Sequence, residues 1–210
     1  NGDGEPLLFI CDDGATRAIN VVMKRDIGHF ESFTGRLQSD TFFDISTPYG
    51  YGGMLIEGQD FAAVNKAYNN FCMKSGFVSE FTRFHLINNA HRFYPGVVEN
   101  PTKNVVRELG MPLDDILRDF EHKVRKNLNK ASKAGLEVTI DESGEMLSDF
   151  LRIYHGTMDR NRAKSNFYFS REFFDTLHGM KGHFAYFHVT KGKRVISSEL
   201  VLYGPNNSYS

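Results

Sequence analysis

Two carboxylates occupy places where strands rarely carry them. Asp44 ends a β-branched and aromatic run over residues 41–45, and Glu199 lies midway along the strand-like run over residues 195–201. Beside a substrate amine either would serve as a base; paired with a cation or turned to a sheet edge, either would be structural. Directly after Asp44 comes Pro48-Tyr49-Gly50-Tyr51-Gly52-Gly53. Tyrosine offers a flat apolar face with a polar tip, and glycine lets backbone approach a ligand or take positive φ. Tyr49 and Tyr51 are therefore candidates for lining a groove, with Gly52 and Gly53 giving backbone access; a packed turn is the plainer reading. Arg83 shares a strand face with His85, pointing to the groove or to solvent. Arg160, in Asp159-Arg160-Asn161-Arg162, suits a bidentate clamp on phosphate or carboxylate, or a charge complementing a helix C-terminus.

The elements that must hold these residues follow from periodicity. Residues 7–11 and 15–23 flank Asp12-Asp13-Gly14 and predict a hairpin. The strand over residues 41–45 breaks at Pro48, which has no amide to donate. A strand end opening into a loop is where α/β proteins tend to place ligands. Asp60 predicts a helix N-cap, followed by Phe61, Val64, Tyr68, Phe71 and Cys72 on one face and closed by Gly76. Alternation predicts a strand over 77–87, with further strands at Val97-Val98 and over 102–109.

Beyond Gly110-Met111-Pro112, the spacing of Leu113, Ile116, Leu117, Phe120, Val124, Leu128 and Ala131 predicts one long helix with a buried stripe, ended by Gly135. Lys123, Lys126, Lys130 and Lys133 form a second stripe on it. A solvated basic face accounts for this pattern, and so does a surface for phosphate or RNA backbone. A strand over 136–140, two amphipathic helices carrying Phe150, Tyr154, Phe173 and Phe174, and a hairpin around Lys191-Gly192-Lys193 complete the chain. Residues 1–110 and 111–210 thus read as two α+β units with mixed, mostly antiparallel sheets and flanking helices.

Composition narrows the function. The 210 residues are 40% hydrophobic, enough for a substantial core, and the net charge of −1 creates no global field for nucleic acid or anionic lipid. That disfavours DNA as a partner and confines any RNA contact to a local patch. Cys11 and Cys72 are far apart and outside any CxxC, which fits a reducing, cytoplasmic setting. No apolar run approaches the roughly 18 residues of a membrane span. The eight histidines show neither HxH nor HExxH spacing, so no metal site is expected. No Ser-His-Asp or Cys-His signature is visible either, so a covalent enzyme intermediate is not expected. Both ends break off close to predicted strands, and the chain reads as an excerpt of a longer protein.

The first unit lacks an opening α-α before its hairpin, and the second lacks the strand, loop and helix that should follow its hairpin. Combined, they spell β-α-α-β-β-β-α-β-β, the order of the Gcn5-related N-acyltransferase (GNAT) fold. Four stretches add to this likeness: Asp44 with Pro48-Tyr49-Gly50-Tyr51-Gly52-Gly53; Asn104-Val105-Val106-Arg107-Glu108-Leu109; Lys123-Val124-Arg125-Lys126-Asn127-Leu128-Asn129-Lys130-Ala131 with Gly135-Leu136-Glu137-Val138; and Tyr154-His155-Gly156-Thr157-Met158-Asp159-Arg160-Asn161-Arg162-Ala163. Together they resemble the Fem-type tandem-GNAT acyltransferases, over about residues 40–205.

The resemblance implies two GNAT-like halves and transfer of an acyl or aminoacyl group to an amine on a cell-envelope or polysaccharide precursor. The donor it implies is acyl-CoA or aminoacyl-tRNA, used as a co-substrate with no permanently bound cofactor. Lys123, Lys126 and Lys130 then become donor- or RNA-binding candidates, and tRNA a candidate partner. The helical arm of the larger branch is not seen between Met111 and Gly135, and no glycine-rich CoA loop of ordinary GNAT enzymes is found; in the second half that loop would lie beyond Ser210. The alternative from another class is a ligand-binding GNAT relative without catalysis.

Overall fold

A computed structural model describes residues 4–99 and 104–210. The chain divides between Val106 and Arg107 into two compact units, each with its own sheet. Among the described residues, five α-helices and two sheets, one mixed and one antiparallel, make an α+β architecture.

In the first unit β1 (Glu5–Asp12) and β2 (Arg17–Asp26) form the expected hairpin, in register from Glu5 opposite Lys24 to Asp12 opposite Arg17. Its turn is built from local carboxylates. Asp12 accepts from the Gly14 amide at 2.9 Å, and Asp13 accepts from Ala15 at 2.9 Å and Thr16 at 2.7 Å. Alternation places Phe9, Ala18, Asn20 and Val22 in the core, while Leu8, Ile10, Ile19 and Val21 stand exposed on the other face.

Two short strands share one edge of β2. β3 (Phe43–Ser46) pairs with its end, and β4 (Leu55–Glu57) returns to pair with its beginning. α1 (Phe61–Lys74) then crosses over to β5 (Phe77–Phe81), which runs parallel to β3. Asp60 caps α1 as expected, its carboxylate accepting from the Ala63 amide at 2.9 Å. Val64 and Tyr68, one turn apart, are the buried residues of this helix, and Tyr68 packs with Phe9, Val22 and Ile45.

The second unit opens with α2 (Leu113–Asp119) and α3 (His122–Lys133) in place of one long helix. Phe120 and Glu121 between them are extended, with ψ of 142° and 149°. Side chains hold the carbonyls that a continuous helix would have used. Arg125 donates to Arg118 O at 2.6 Å and Phe120 O at 2.9 Å, and Arg107 donates to Ile116 O at 3.3 Å. The stripe expected to be buried is not: neither helix contains a buried residue, and Val124 and Leu128 are exposed.

β6 (Leu136–Asp141), α4 (Leu147–Arg160), α5 (Arg171–Leu177), β7 (Phe184–Lys191), β8 (Arg194–Tyr203) and β9 (Ser208–Tyr209) complete this unit. Its sheet is antiparallel in the order β6-β7-β8-β9. α4 and α5 cover one face, where Phe150 meets Tyr186 at 4.8 Å and Phe174 at 5.1 Å between ring centroids.

The strands expected at 97–98 and 104–109 do not form among the described residues; Thr102 and Lys103 lie outside them. Val97 and Val105 are 89% and 99% exposed, so β-branched composition found no neighbouring strand to pair with.

Candidate functional site

The residues around Pro48 form a groove where the parallel pair ends. Beyond β3 the chain is tied to the β5 side at two points. Thr47 N donates to Phe81 O at 3.1 Å; further on, Gly52 N donates to Arg83 O at 2.8 Å and Gly52 O accepts from His85 N at 2.9 Å. Residues 48–51 arch between these ties. Beneath them lies a cavity of about 190 Å³ lined by Arg25, Ser46, Thr47, Pro48, Tyr49, Gly50, Phe81 and Arg83. Gly50 takes φ of 106°, which a side chain would resist.

This arrangement places Tyr49 and the exposed Arg83 at one cavity, with Asp44 alongside through its partner Arg25. Tyr49 and Tyr51 are 58% and 43% exposed, so neither is a core tyrosine. The two glycines are employed differently from the expectation. Both polar backbone groups of Gly52 pair with the continuation of β5, so they are not offered to a ligand. Gly53 has φ of 96°, and an added Cβ would lie 3.1 Å from the Phe84 ring. It is a close-packing position beside that ring.

Asp44 is buried and bidentately paired. Arg25 Nε donates to Oδ1 at 2.9 Å, and its terminal nitrogen donates to Oδ2 at 2.5 Å. Both oxygens of this carboxylate are held by one guanidinium, and the pair orients Arg25 at the groove. The groove thus carries two guanidinium groups, one of them neutralised by its partner.

A second cavity of about 270 Å³ in the same unit is one that the sequence did not signal directly. At its wall Glu80 accepts three hydroxyl hydrogen bonds: Tyr68 at 2.7 Å, Thr82 at 3.1 Å and Tyr94 at 3.2 Å. Burial, then the charge of Glu80, pushes the Tyr94 phenol up to about 12 and the Cys72 thiol up to about 11. Tyr68 moves further in the same direction for the same reasons. Cys72 is therefore a protonated packing residue at neutral pH. A polar Asn20 between Ala18 and Val22, in the inward register of β2, was the one indirect sequence sign of this cavity.

The remaining candidates belong to the second unit. Glu199 is exposed opposite Phe187 on the sheet face turned away from α4, since its neighbour Leu200 packs into the core. Arg160 ends α4 and donates to Thr157 at 3.0 Å. The two lie on opposite faces of that sheet. Lys123, Lys126, Lys130 and Lys133 are all exposed along α3.

The second unit also assembles a serine, a histidine and an aspartate that the sequence did not signal. His188 Nδ1 lies 3.0 Å from the Ser198 hydroxyl, and its Nε2 lies 3.9 Å from Asp141 Oδ2. His188 is fully buried, and Asp141 already accepts from the amides of Ser143, Gly144 and Met146 and from the Ser143 hydroxyl. Burial lowers the His188 pKa, only partly offset by the charge of Asp141. Burial alone would raise Asp141; its hydrogen-bond donors, led by Met146 N, instead hold it down to about 2. This cluster anchors the entry to α4 through the hydrogen bonds that Asp141 accepts.

Among the described residues no three-membered group of metal-ligating side chains occurs, and no helix is long and apolar enough to cross a membrane. The chain matches no protein-family model and no curated protein.

Proposed function

We propose that this chain is an N-acyltransferase of GNAT-like, Fem-type architecture. It transfers an acyl or aminoacyl group to an amine on a cell-envelope or polysaccharide precursor. The observation carrying this reading is the arched groove at the end of the parallel β3–β5 pair, which presents Tyr49 beside Arg25 and Arg83. What supports the architecture is the parallel β3–β5 pair joined through α1 after an antiparallel hairpin, with β4 intervening between β3 and α1. The Arg83 guanidinium, with Arg25 held beside it by Asp44, suits a phosphate or carboxylate on the precursor.

In the reaction the amine nitrogen attacks the donor carbonyl. A C–N bond forms, the thioester or ester bond breaks, and the amine's proton leaves with the thiol or ribose hydroxyl. Positioning supplies most of the acceleration. The test is incubation of the protein with acetyl-CoA or alanyl-tRNA and a panel of amino sugars and precursor peptides, read by mass spectrometry. An amide product that disappears in Arg83→Ala supports the reading. Absence of product with every pair, alongside retained precursor binding, establishes the second reading, a ligand-binding relative without catalysis. The observation favouring that second reading is the commitment of both Asp44 oxygens to Arg25.

A further inference from the structure

The cavity between α1, β2 and β5 has the chemistry of a receptor for a positively charged, partly apolar molecule. Asn20 lines it from the core row of β2, only 4% exposed, and its Oδ1 has no hydrogen-bond partner. Buried amide oxygens are nearly always satisfied, so an orphan at a cavity wall marks where a donor is missing. Glu80 lines the same space, and the hydrogen bonds it receives come from three neutral hydroxyls. Among the described residues no lysine, arginine or histidine lines this cavity. A partly buried carboxylate without a cation beside it favours a cationic ligand over a neutral or anionic one.

The rest of the wall is aromatic. Phe61 of α1 and Phe93 stack with centroids 3.8 Å apart, and Phe84 meets Tyr94 edge-on at 5.2 Å. Such rings accept the apolar body of a ligand and, through their faces, attract an ammonium group. The segment carrying Phe93 and Tyr94 is fastened over the cavity from two sides. Asn65 donates to Phe93 O at 2.7 Å, and Tyr94 reaches Glu80.

We propose that this cavity binds a small organic ammonium compound, with its N–H groups donated to Asn20 Oδ1 and Glu80 and its hydrocarbon part held against Phe84 and the stacked Phe61–Phe93 pair. The site uses none of the residues that line the Tyr49 groove and stands whether or not that groove transfers acyl groups.

The test is calorimetric titration of the chain with benzylammonium chloride at pH 7, with benzyl alcohol and sodium benzoate as counter-probes. Saturable binding of benzylammonium is expected, at least tenfold tighter than benzyl alcohol, with none for benzoate. Asn20→Leu and Glu80→Gln should each weaken it tenfold or more, while Tyr49→Ala leaves it unchanged. Glu80→Gln also alters the hydrogen bonds of Tyr68 and Tyr94, so each variant's fold is checked by circular dichroism. If Glu80→Gln does not fold, Asn20→Leu decides alone, because it places an apolar group in an apolar row. Equal binding of alcohol and amine, no saturable binding, or an unchanged affinity in the folded variants would overturn the proposal.

Discussion

Arg25 and Asp44 face each other across the β2–β3 ladder, and their side chains close a two-pronged ion pair beside the groove. The pair makes a carboxylate within β3 the support of a groove arginine. Asp44→Asn keeps the shape and removes the charge, leaving a partly buried guanidinium with weaker partners. Stability should fall by about 2 kcal/mol, measured by urea unfolding, since hydrogen bonds to charged groups contribute at that level. A decrease below about 0.5 kcal/mol would show the pair to be energetically idle.

Tyr51 is exposed on the arch, so its truncation should affect ligands and leave the fold intact. Tyr51→Ala should change stability by no more than about 0.5 kcal/mol, a melting shift of roughly 2 °C. Precursor binding or acyl transfer should drop severalfold in the same variant. A protein that chiefly unfolds instead would reassign the tyrosine to packing.

The basic face of α3 separates the two donors. If aminoacyl-tRNA is the donor, reversing Lys126 and Lys130 to glutamate should weaken binding severalfold. The salt dependence should also flatten, the log–log slope changing by up to roughly 0.9 for each phosphate no longer neutralised. If the donor is acyl-CoA, the same change should leave its affinity almost untouched, because solvent-exposed charges contribute little. Titrations with labelled alanyl-tRNA and with acetyl-CoA at two salt concentrations distinguish these outcomes.

Acid should destabilise the second unit through two groups acting in the same direction. The Asp141 carboxyl is held down to about 2, against an ordinary value near 3.8. Its contribution is fully present above the ordinary value and disappears as pH falls from about 4 to about 2, a change on the order of 2 kcal/mol. His188 is buried with its pKa lowered, so below its ordinary value of 6.5 the unfolded chain takes up a proton that the folded chain resists. Urea midpoints should therefore fall as pH drops below about 6. Asp141→Asn should remove the part of that dependence lying below about pH 4. An unchanged acid limb in Asp141→Asn would show that other carboxylates govern it.

Local chemistry made much of the fold legible. The Asp12-Asp13-Gly14 turn and the Asp60 cap act on amides within a few residues, so composition alone locates them. The aromatic face of α1 repeats at helical spacing and is buried through Val64 and Tyr68 for that reason. Tyr49 and Arg83 came together because a proline-broken strand must leave its sheet, and the parallel strand after the crossover ends beside it.

Other features depend on partners distant in sequence. Apolar spacing runs unbroken through Phe120, yet the helix divides there, and Arg107 and Arg125 hold carbonyls that intrahelical amides would otherwise have met. β4 has only three residues and exists because the edge of β2 was open beside it. Val97 and Val105 have strand-like side chains and stay unpaired, since a ladder needs a neighbour that no local preference supplies. The cavity of Asn20 and Glu80 depends in the same way on tertiary packing. The chain determines that one residue is polar in an inward register and that another is acidic. Folding three separate elements around a common space decides that they line one cavity, since burial and hydrogen-bond satisfaction belong to the assembled structure.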